Sequence, residues 1–272
     1  MDGVAWPKVF IIVLNWNQGE DTIECLESLY GINYPNYDVV VVDNDSQDDS
    51  LARIRAYARG KVAVESAFLP YNCRIKSLQV TNYTRRETED LKVAALSKKL
   101  AEESRNKASN RSLVIIENEQ NFGYPEGNNV GMRYALKASA DYVLLLNNDT
   151  VVDKHFLTEL VCTADKDASI GVIGPKIFRY DLPNVIQATG ARIDFWRGRA
   201  ISLNKGKTDD EIEHFTVDNL LPADFVPGAC FLIKRKVIED VGKLDPTYFL
   251  YGEELDWCMR INRAGYRIVC DL

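Results

Sequence analysis

Short apolar runs that stop abruptly at polar clusters mark the first half of the chain. "YVLLLNNDT", Tyr142 to Thr150, sets five apolar residues against Asn147, Asn148 and Asp149, and "DVVVVDNDSQDD", Asp38 to Asp49, sets four valines against Asp43 and further acids and amides. Val9 to Leu14 and Leu113 to Ile116 are runs of the same kind. Between them lie segments of helical period: "EDTIECLESLYG" places Ile23, Leu26, Leu29 and Tyr30 on one face before Gly31, and further helices are expected around Asp48 to Ala58, through "VGMRYALKAS", and from about Lys154 to Ala164. Strand and helix in alternation predict βαβ units and a mostly parallel sheet. Because the strand runs are apolar without a break, they are expected to be buried on both faces.

In an open parallel sheet, ligands bind outside the carboxyl ends of the strands. The four loops that begin there are Asn15-Trp16-Asn17, Asp43-Asn44-Asp45, Glu117-Asn118-Glu119 with Asn121 beyond, and Asn147-Asn148-Asp149. Their polar clusters are therefore expected to converge on one edge.

The rhythm breaks between Pro70 and Arg111. A connection of this length is expected to carry structure of its own, and Thr84-Arg85-Arg86-Glu87 has the form of a capping box opening a helix through about Arg105, with Leu91, Ala95, Leu96 and Leu100 on its apolar side. The segment holds ten Lys/Arg against five Asp/Glu. A solvated helical insertion is the plain expectation; a peripheral contact with an anionic membrane or partner is the sharper one. From Ile170 onward the pattern is less regular. "GVIGPKIF" and "ADFVPGACFLIKRKV" read as interrupted strands, Gly198 to Leu220 as a polar loop, and "TYFLYGEELDWCMRINRAGYRIV" as an apolar segment, an acidic cluster, a helix ending at Gly265 and a strand.

Composition narrows the class. With 272 residues, 46% of them hydrophobic and 27% charged, the chain has enough apolar content for a sizeable core, as one large domain or two tightly joined ones. A formal net charge of −7 argues against nucleic acid as a partner. The six cysteines show no CxxC pair and no histidine at zinc-finger spacing, which points to a reduced, cytoplasmic setting. The N-terminus has no basic region and only six consecutive apolar residues from Val9, too few for a leader or a membrane span.

A carboxylate with neighbouring amides at a strand end suits a hard divalent cation, and Asp149 is the natural candidate; read alone, Asn-Asn-Asp is equally a turn or helix cap, and Asp43 an Asx-type turn. The blocks "VFIIVLNWN", "YDVVVVDNDSQDDS", "NEQNFGYPEGNNVGMRYAL", "YVLLLNNDTVV", "FVPGACFLIKRKVIEDVGKLD" and "YGEELDWCMRINRAGY" occur in an order and spacing that resemble family 2 glycosyltransferases, most closely the rhamnosyltransferase-like members. Apart from the 70–111 segment, the blocks cover nearly the whole chain.

The resemblance implies a GT-A fold: a Rossmann-like α/β architecture in which residues 1–150 bind the nucleotide-sugar and residues 151–272 form the acceptor-binding and catalytic half of the same domain. It further implies a nucleotide-diphosphate-sugar donor, UDP- or dTDP-linked, a glycan or lipid-linked acceptor, inversion at the anomeric carbon, Mg²⁺ or Mn²⁺, and work at the inner membrane face. Carried onto this sequence, Asn15, Asn17, Asp43 and Asn44 fall at the nucleoside, and Asn147 and Asn148 stand in a reduced Asp-x-Asp motif whose last acid, Asp149, binds the metal. Asn121, Gly123 and Asn128 belong to a glycine-containing loop beside the ligand, and Gly228 is also counted among the substrate-binding residues. Where the family often has Glu-Asp, this chain has Glu253-Glu254 with Asp256 after them; Glu254 holds the position of the catalytic base, and Glu253 and Asp256 compete for it. The other readings are a sugar nucleotidyltransferase, for which "NWNQGEDT" lacks the Gly-rich, Arg-containing phosphate loop, and a nucleotide-sugar-binding module without catalysis.

Overall fold

The computed structural model describes residues 5–69, 77–92, 112–212 and 220–272. Its centre is a nine-stranded sheet. In chain order the strands are β1 (Val9–Asn15), β2 (Tyr37–Asp43), β3 (Gln79–Thr84), β4 (Ser112–Glu117), β5 (Tyr142–Asn147), β6 (Ile170–Pro175), β11 (Leu220–Pro222), β12 (Cys230–Lys234) and β13 (Arg267–Asp271), arranged 11-13-6-12-5-1-2-4-3. Strands 5, 1, 2, 4 and 3 run parallel to one another, β12 enters antiparallel between β5 and β6, and β13 pairs parallel with β6. Four shorter strands stand apart as two pairs, β7 (Ile177–Phe178) with β8 (Ile186–Ala188) and β9 (Ala191–Asp194) with β10 (Arg199–Ser202).

Alternate residues of each central strand enter opposite cores. Val9, Ile11 and Val13 join one cluster with α1 (Gly19–Leu29), α2 (Ser50–Ala58) and α5 (Phe156–Lys166). Phe10 and Ile12 join the other, with α4 (Gly123–Lys137), α6 (Arg235–Val241) and α7 (Glu253–Arg263). The valines of β2 divide in the same way, Val39 and Val41 against Val40 and Val42. The expected double burial is therefore what holds helices on both faces. Helix α4 lies close on the sheet because Gly127 and Gly131 leave no Cβ in the way; a methyl there would meet Leu14 Cδ1 at 2.6 Å and Ile12 Cγ2 at 2.5 Å.

Three expectations need correction. The segment from 70 to 111 is not wholly a helical insertion, because residues 79–84 form β3, the edge strand beside β4. Val80 packs into one core and Tyr83 into the other, so the strand is half-polar and lacks the apolar run of its neighbours. The capping box is present, with the Thr84 amide donating to Glu87 Oε2 at 2.6 Å, and opens the short helix α3 (Arg85–Asp90); the expected continuation through Arg105, with Ala95, Leu96 and Leu100, lies outside the described residues. Part of the expected loop from Gly198 to Leu220 is strand β10, closing a hairpin on β9. Helix α4 starts at Gly123, earlier than the "VGMRYALKAS" period suggests, so Asn128 and Asn129 lie inside it and are buried.

Among the described residues no helix is long and apolar enough to cross a membrane. Cys25, Cys162, Cys230, Cys258 and Cys270 are all free thiols.

Candidate functional site

The strand register brings the polar clusters together. Asn15 lies opposite Asp43, Asp43 opposite Glu117, and Leu14 opposite Asn147, so four strands end at nearly the same level. The chain then turns through left-handed backbone at Asn17 (φ 55) and Asp45 (φ 63), a conformation that Asn and Asp tolerate better than other side-chain-bearing residues.

Much of the cluster is bonded to itself. Asn15, fully buried, donates through Nδ2 to Asp43 Oδ1 at 2.7 Å and accepts from the Thr22 hydroxyl at 2.8 Å. Asp43 also accepts from the Ser46 hydroxyl at 2.7 Å on Oδ1 and from the Ser46 amide at 3.0 Å on Oδ2. Asn148 reaches the same network by donating to the Thr22 hydroxyl at 3.0 Å. Asn17 is half-buried, its amide donating to Ser46 Oγ at 3.0 Å and its side-chain oxygen accepting from the Gln47 amide at 2.7 Å. These contacts lock the β1 and β2 loops to the start of α1. Thr22 and Ser46 carry no motif of their own; the Asp-x-x-Ser spacing of an Asx-type turn was the one available signal for Ser46.

A second network holds the loop before α4. Asn44 donates to Asn121 Oδ1 at 2.8 Å and accepts from Asn118 Nδ2 at 2.9 Å, while Asn121 Oδ1 also accepts from the Gly123 amide at 2.8 Å. Arg85 of α3 stacks 4.3 Å over the Phe122 ring and bonds Glu119 at 3.3 Å, tying the edge of the sheet to this loop. Gly123 has φ +77, and a Cβ there would fall 2.4 Å from the Phe249 carbonyl oxygen, which accepts from the Tyr124 amide at 2.8 Å. The close approach this glycine permits is to the segment leading into α7. Asn128 donates back to the Tyr124 carbonyl at 2.9 Å inside the helix.

Asn147 is half-buried and Asp149 exposed beyond it. Both line a cavity of about 860 Å³ whose walls also include Phe68, Val152, Phe178, Tyr180 and Ala229; Asp43 and Glu254 are not among its walls. Asp21, in the first turn of α1, is held above the ordinary carboxylate range by partial burial and then by the charge of Asp149. This nearby acid was not singled out from the sequence, where it reads as a first-turn residue favoured by the helix dipole. Among the described residues no three His, Cys, Asp or Glu side chains gather as a metal cage. One exposed carboxylate with a second in electrostatic reach fits a hard cation that takes most of its ligands from diphosphate oxygens and water.

The remaining acids sit at the start of α7, a helix anchored by Trp257. That indole stacks on Phe231 at 5.2 Å, and its Nε1 donates to the Gly242 carbonyl at 2.9 Å. The three acids differ sharply in surroundings. Asp256 is engaged by Arg260, Nε to Oδ2 at 2.8 Å. Glu253 is buried and Glu254 half-buried, and the Oε2 atom of each is enclosed with no hydrogen-bond partner among the described residues. Burial pushes the Glu253 carboxyl up, with the Glu254 charge adding to the effect. Tyr124 faces the pair: burial raises its phenol first, and the charges of Glu254 and Glu253 raise it further, while its hydroxyl donates to the Gly228 carbonyl at 2.9 Å. Gly228 is thus a wall of the same corner.

The chain is similar in sequence and in fold to several known glycosyltransferases. A low-salt glycan biosynthesis hexosyltransferase of Haloferax volcanii is 32% identical over 168 residues, 61% of this chain and 52% of that protein. A rhamnosyltransferase of Escherichia coli K12 is 24% identical over 153 residues, 54% of this chain and 57% of that one. The chain therefore spans little more than half the length of these curated relatives. Among solved structures, GalNAc-T7 with UDP, GalNAc and Mn²⁺ superposes with a TM-score of 0.62 at 17% identity, over 99% of this chain and 43% of that one, a likeness of fold of the GT-A kind. The family described as "Glycosyltransferase like family 2" matches residues 7–270, which reaches into every strand of the large sheet, and the chain belongs to that family.

Proposed function

We propose that the protein transfers a sugar from a nucleotide-diphosphate donor, UDP- or dTDP-linked, to a hydroxyl of a glycan or lipid-linked acceptor, with inversion at the anomeric carbon. The observation that carries this reading is the pair of enclosed, unpartnered carboxylate oxygens on Glu253 and Glu254, in the one acidic cluster where Asp256 is already neutralised by Arg260. A buried polar atom without a partner costs stability unless a ligand or proton satisfies it.

In this scheme the Asn15–Asp43–Ser46 and Asn44–Asn121 networks fix the loops that frame the nucleoside. Asp149, with Asn147 beside it and Asp21 in reach, would hold Mg²⁺ or Mn²⁺ together with diphosphate oxygens and water. The cation, when bound, supplies neutralisation of the charge that develops on the departing diphosphate. Glu254 takes the proton of the acceptor hydroxyl as its oxygen bonds to the anomeric carbon and the bond from that carbon to the diphosphate breaks. Helix α7 gives the carboxylate a fixed mount, and Tyr124 with Gly228 closes the corner around it.

The test pairs transfer kinetics with donor titration. Glu254→Gln should lose transfer by roughly 10²- to 10⁴-fold, the contribution of a positioned base, and keep its affinity for donor. An active Glu254→Gln, with Glu253→Gln inactive yet donor-bound, would move the base to Glu253. Donor class is read by thermal shift with UDP-, dTDP- and GDP-sugars, with and without Mn²⁺, since a bound ligand stabilises by mass action.

A further inference from the structure

The hairpin formed by β9 and β10 ends in the sequence Phe195-Trp196-Arg197-Gly198. Its tip stands in the open: Trp196 is 100% exposed and Phe195 72%. Two adjacent aromatic rings standing in water cost free energy that a partner surface would recover. The flanks are basic. From 191 to 207 the exposed charges are Arg192, Arg197, Arg199, Lys205 and Lys207, and the sole acid is Asp194. Asp194 is shared between Arg197 at 3.5 Å and Arg199 at 4.0 Å, so it offsets only part of that charge. Of the three acids in the next turn, Asp209 pairs with Lys176, Glu211 bonds the Thr208 amide at 2.8 Å, and Asp210 is exposed. In a protein whose formal net charge is −7, this is a local excess of opposite sign.

The base of the hairpin is fixed firmly. The Ala191 amide donates to the Phe225 carbonyl and the Ala191 carbonyl accepts from the Asp224 amide, both at 2.9 Å, and the Ile193 amide donates to Asp224 Oδ2 at 2.7 Å. Residues 224 and 225 lead directly into Val226, fully buried in the core that holds α7, and Gly228, which bonds Tyr124. The tip is therefore rigidly mounted on the wall of the candidate site.

We infer that the tip of this hairpin docks on an anionic membrane surface, with Trp196 and Phe195 seated at the headgroup level and Arg192, Arg197 and Arg199 paired with lipid phosphates. Aromatic side chains favour that level because one end of the environment is apolar and the other wet. Basic side chains beside a negative leaflet add an attraction that falls off within a Debye length. Neither ring nor guanidinium alone accounts for both features; an anionic interface does. The inference is independent of which acid is the catalytic base.

The experiment is vesicle flotation of the whole chain with phosphatidylcholine vesicles, with and without phosphatidylglycerol, read alongside tryptophan emission. The wild type should float with the anionic vesicles, lose association as salt is raised, and show a blue shift that is absent from Trp196→Ser. Arg197→Gln/Arg199→Gln should weaken partitioning roughly 30-fold, from two lost basic contacts. Phe195→Ser/Trp196→Ser should abolish flotation while leaving thermal stability and transfer to a soluble acceptor unchanged, because Trp196 is fully and Phe195 largely exposed; Trp196→Phe should restore part of it. Flotation indifferent to phosphatidylglycerol, or undiminished in the double variants, overturns the inference. So does a Trp196 emission change produced by soluble oligosaccharide without vesicle binding, or a concentration-dependent dimer that Trp196→Ser dissolves.

Discussion

Replacing Gly123 by alanine probes the contact between the start of α4 and the segment that delivers Glu254. The glycine sits at φ +77, where a side chain costs about 1–2 kcal/mol in backbone strain. The new Cβ would also lie 2.4 Å from the Phe249 carbonyl oxygen and 2.8 Å from the Phe249 ring. Ordinary contact begins near 3.4 Å, so the carbonyl must retreat by about 1.0 Å. That retreat stretches the Tyr124 amide bond to the same oxygen, now 2.8 Å, and displaces a segment only five residues before Glu254. Overpacking of this sort adds roughly 1–3 kcal/mol to the destabilisation. A misplacement of about 1 Å in a catalytic group can reduce rate by roughly 10²-fold. Gly123→Ala is therefore expected to lower kcat by about two orders of magnitude with a smaller effect on donor affinity, measured by steady-state transfer and donor titration, and to lower the unfolding midpoint in urea. Gly265→Ala is the control, because Gly265 also has positive φ, at +90, but has nothing within 4 Å of the added Cβ; it should lose stability from backbone strain alone and keep its kcat. Wild-type kcat in a folded Gly123→Ala would refute the coupling between the two segments.

Other outcomes test separate parts of the site. Asn15→Ala removes a donor from the buried Asp43 carboxylate and should cost about 1.5–3 kcal/mol, the range for hydrogen bonds to charged groups, measured by urea unfolding; no change would mean that Asp43 finds water instead. Glu253 has its pKa raised by burial, so folding favours its protonated form. Its carboxylate costs stability above the ordinary glutamate value of 4.5 and nothing well below it, and Glu253→Gln should raise Tm at neutral pH with no gain under acid conditions. Asp149→Ala should remove Mn²⁺-dependent donor binding in thermal-shift titrations, and full transfer in EDTA would reject a metal role for this residue.

Much of this architecture was legible in local pattern. Unbroken apolar runs at Val9, Val39, Leu113 and Tyr142 fixed the parallel strands, because a strand covered on both faces has no polar alternation to show. Their endings placed Asn15, Asp43 and Asn147 on one edge, since parallel strands joined through helices all finish on the same side. The edge strand β3 escaped notice for the opposite reason: "QVTNYT" is half-polar, and only pairing with β4 decides its conformation.

The order of the strands, with β12 antiparallel between β5 and β6, was likewise settled by tertiary pairing, as were the partners of each polar side chain. Sequence nominated Glu253, Glu254 and Asp256 and favoured Glu254 through the family resemblance, but it could not show the surroundings of each. The structure separates their surroundings, because Arg260, one helical turn after Asp256, pairs with that acid, while the Oε2 atoms of the other two are enclosed without a partner among the described residues. In the same way, Gly123 reads in sequence as a loop residue near a ligand, and the fold shows what lies against it, the carbonyl of Phe249 from a segment 126 residues away in the chain. Local sequence sets what each stretch of backbone prefers; contacts between distant segments determine which charges are paired, and only the packed chain contains those contacts.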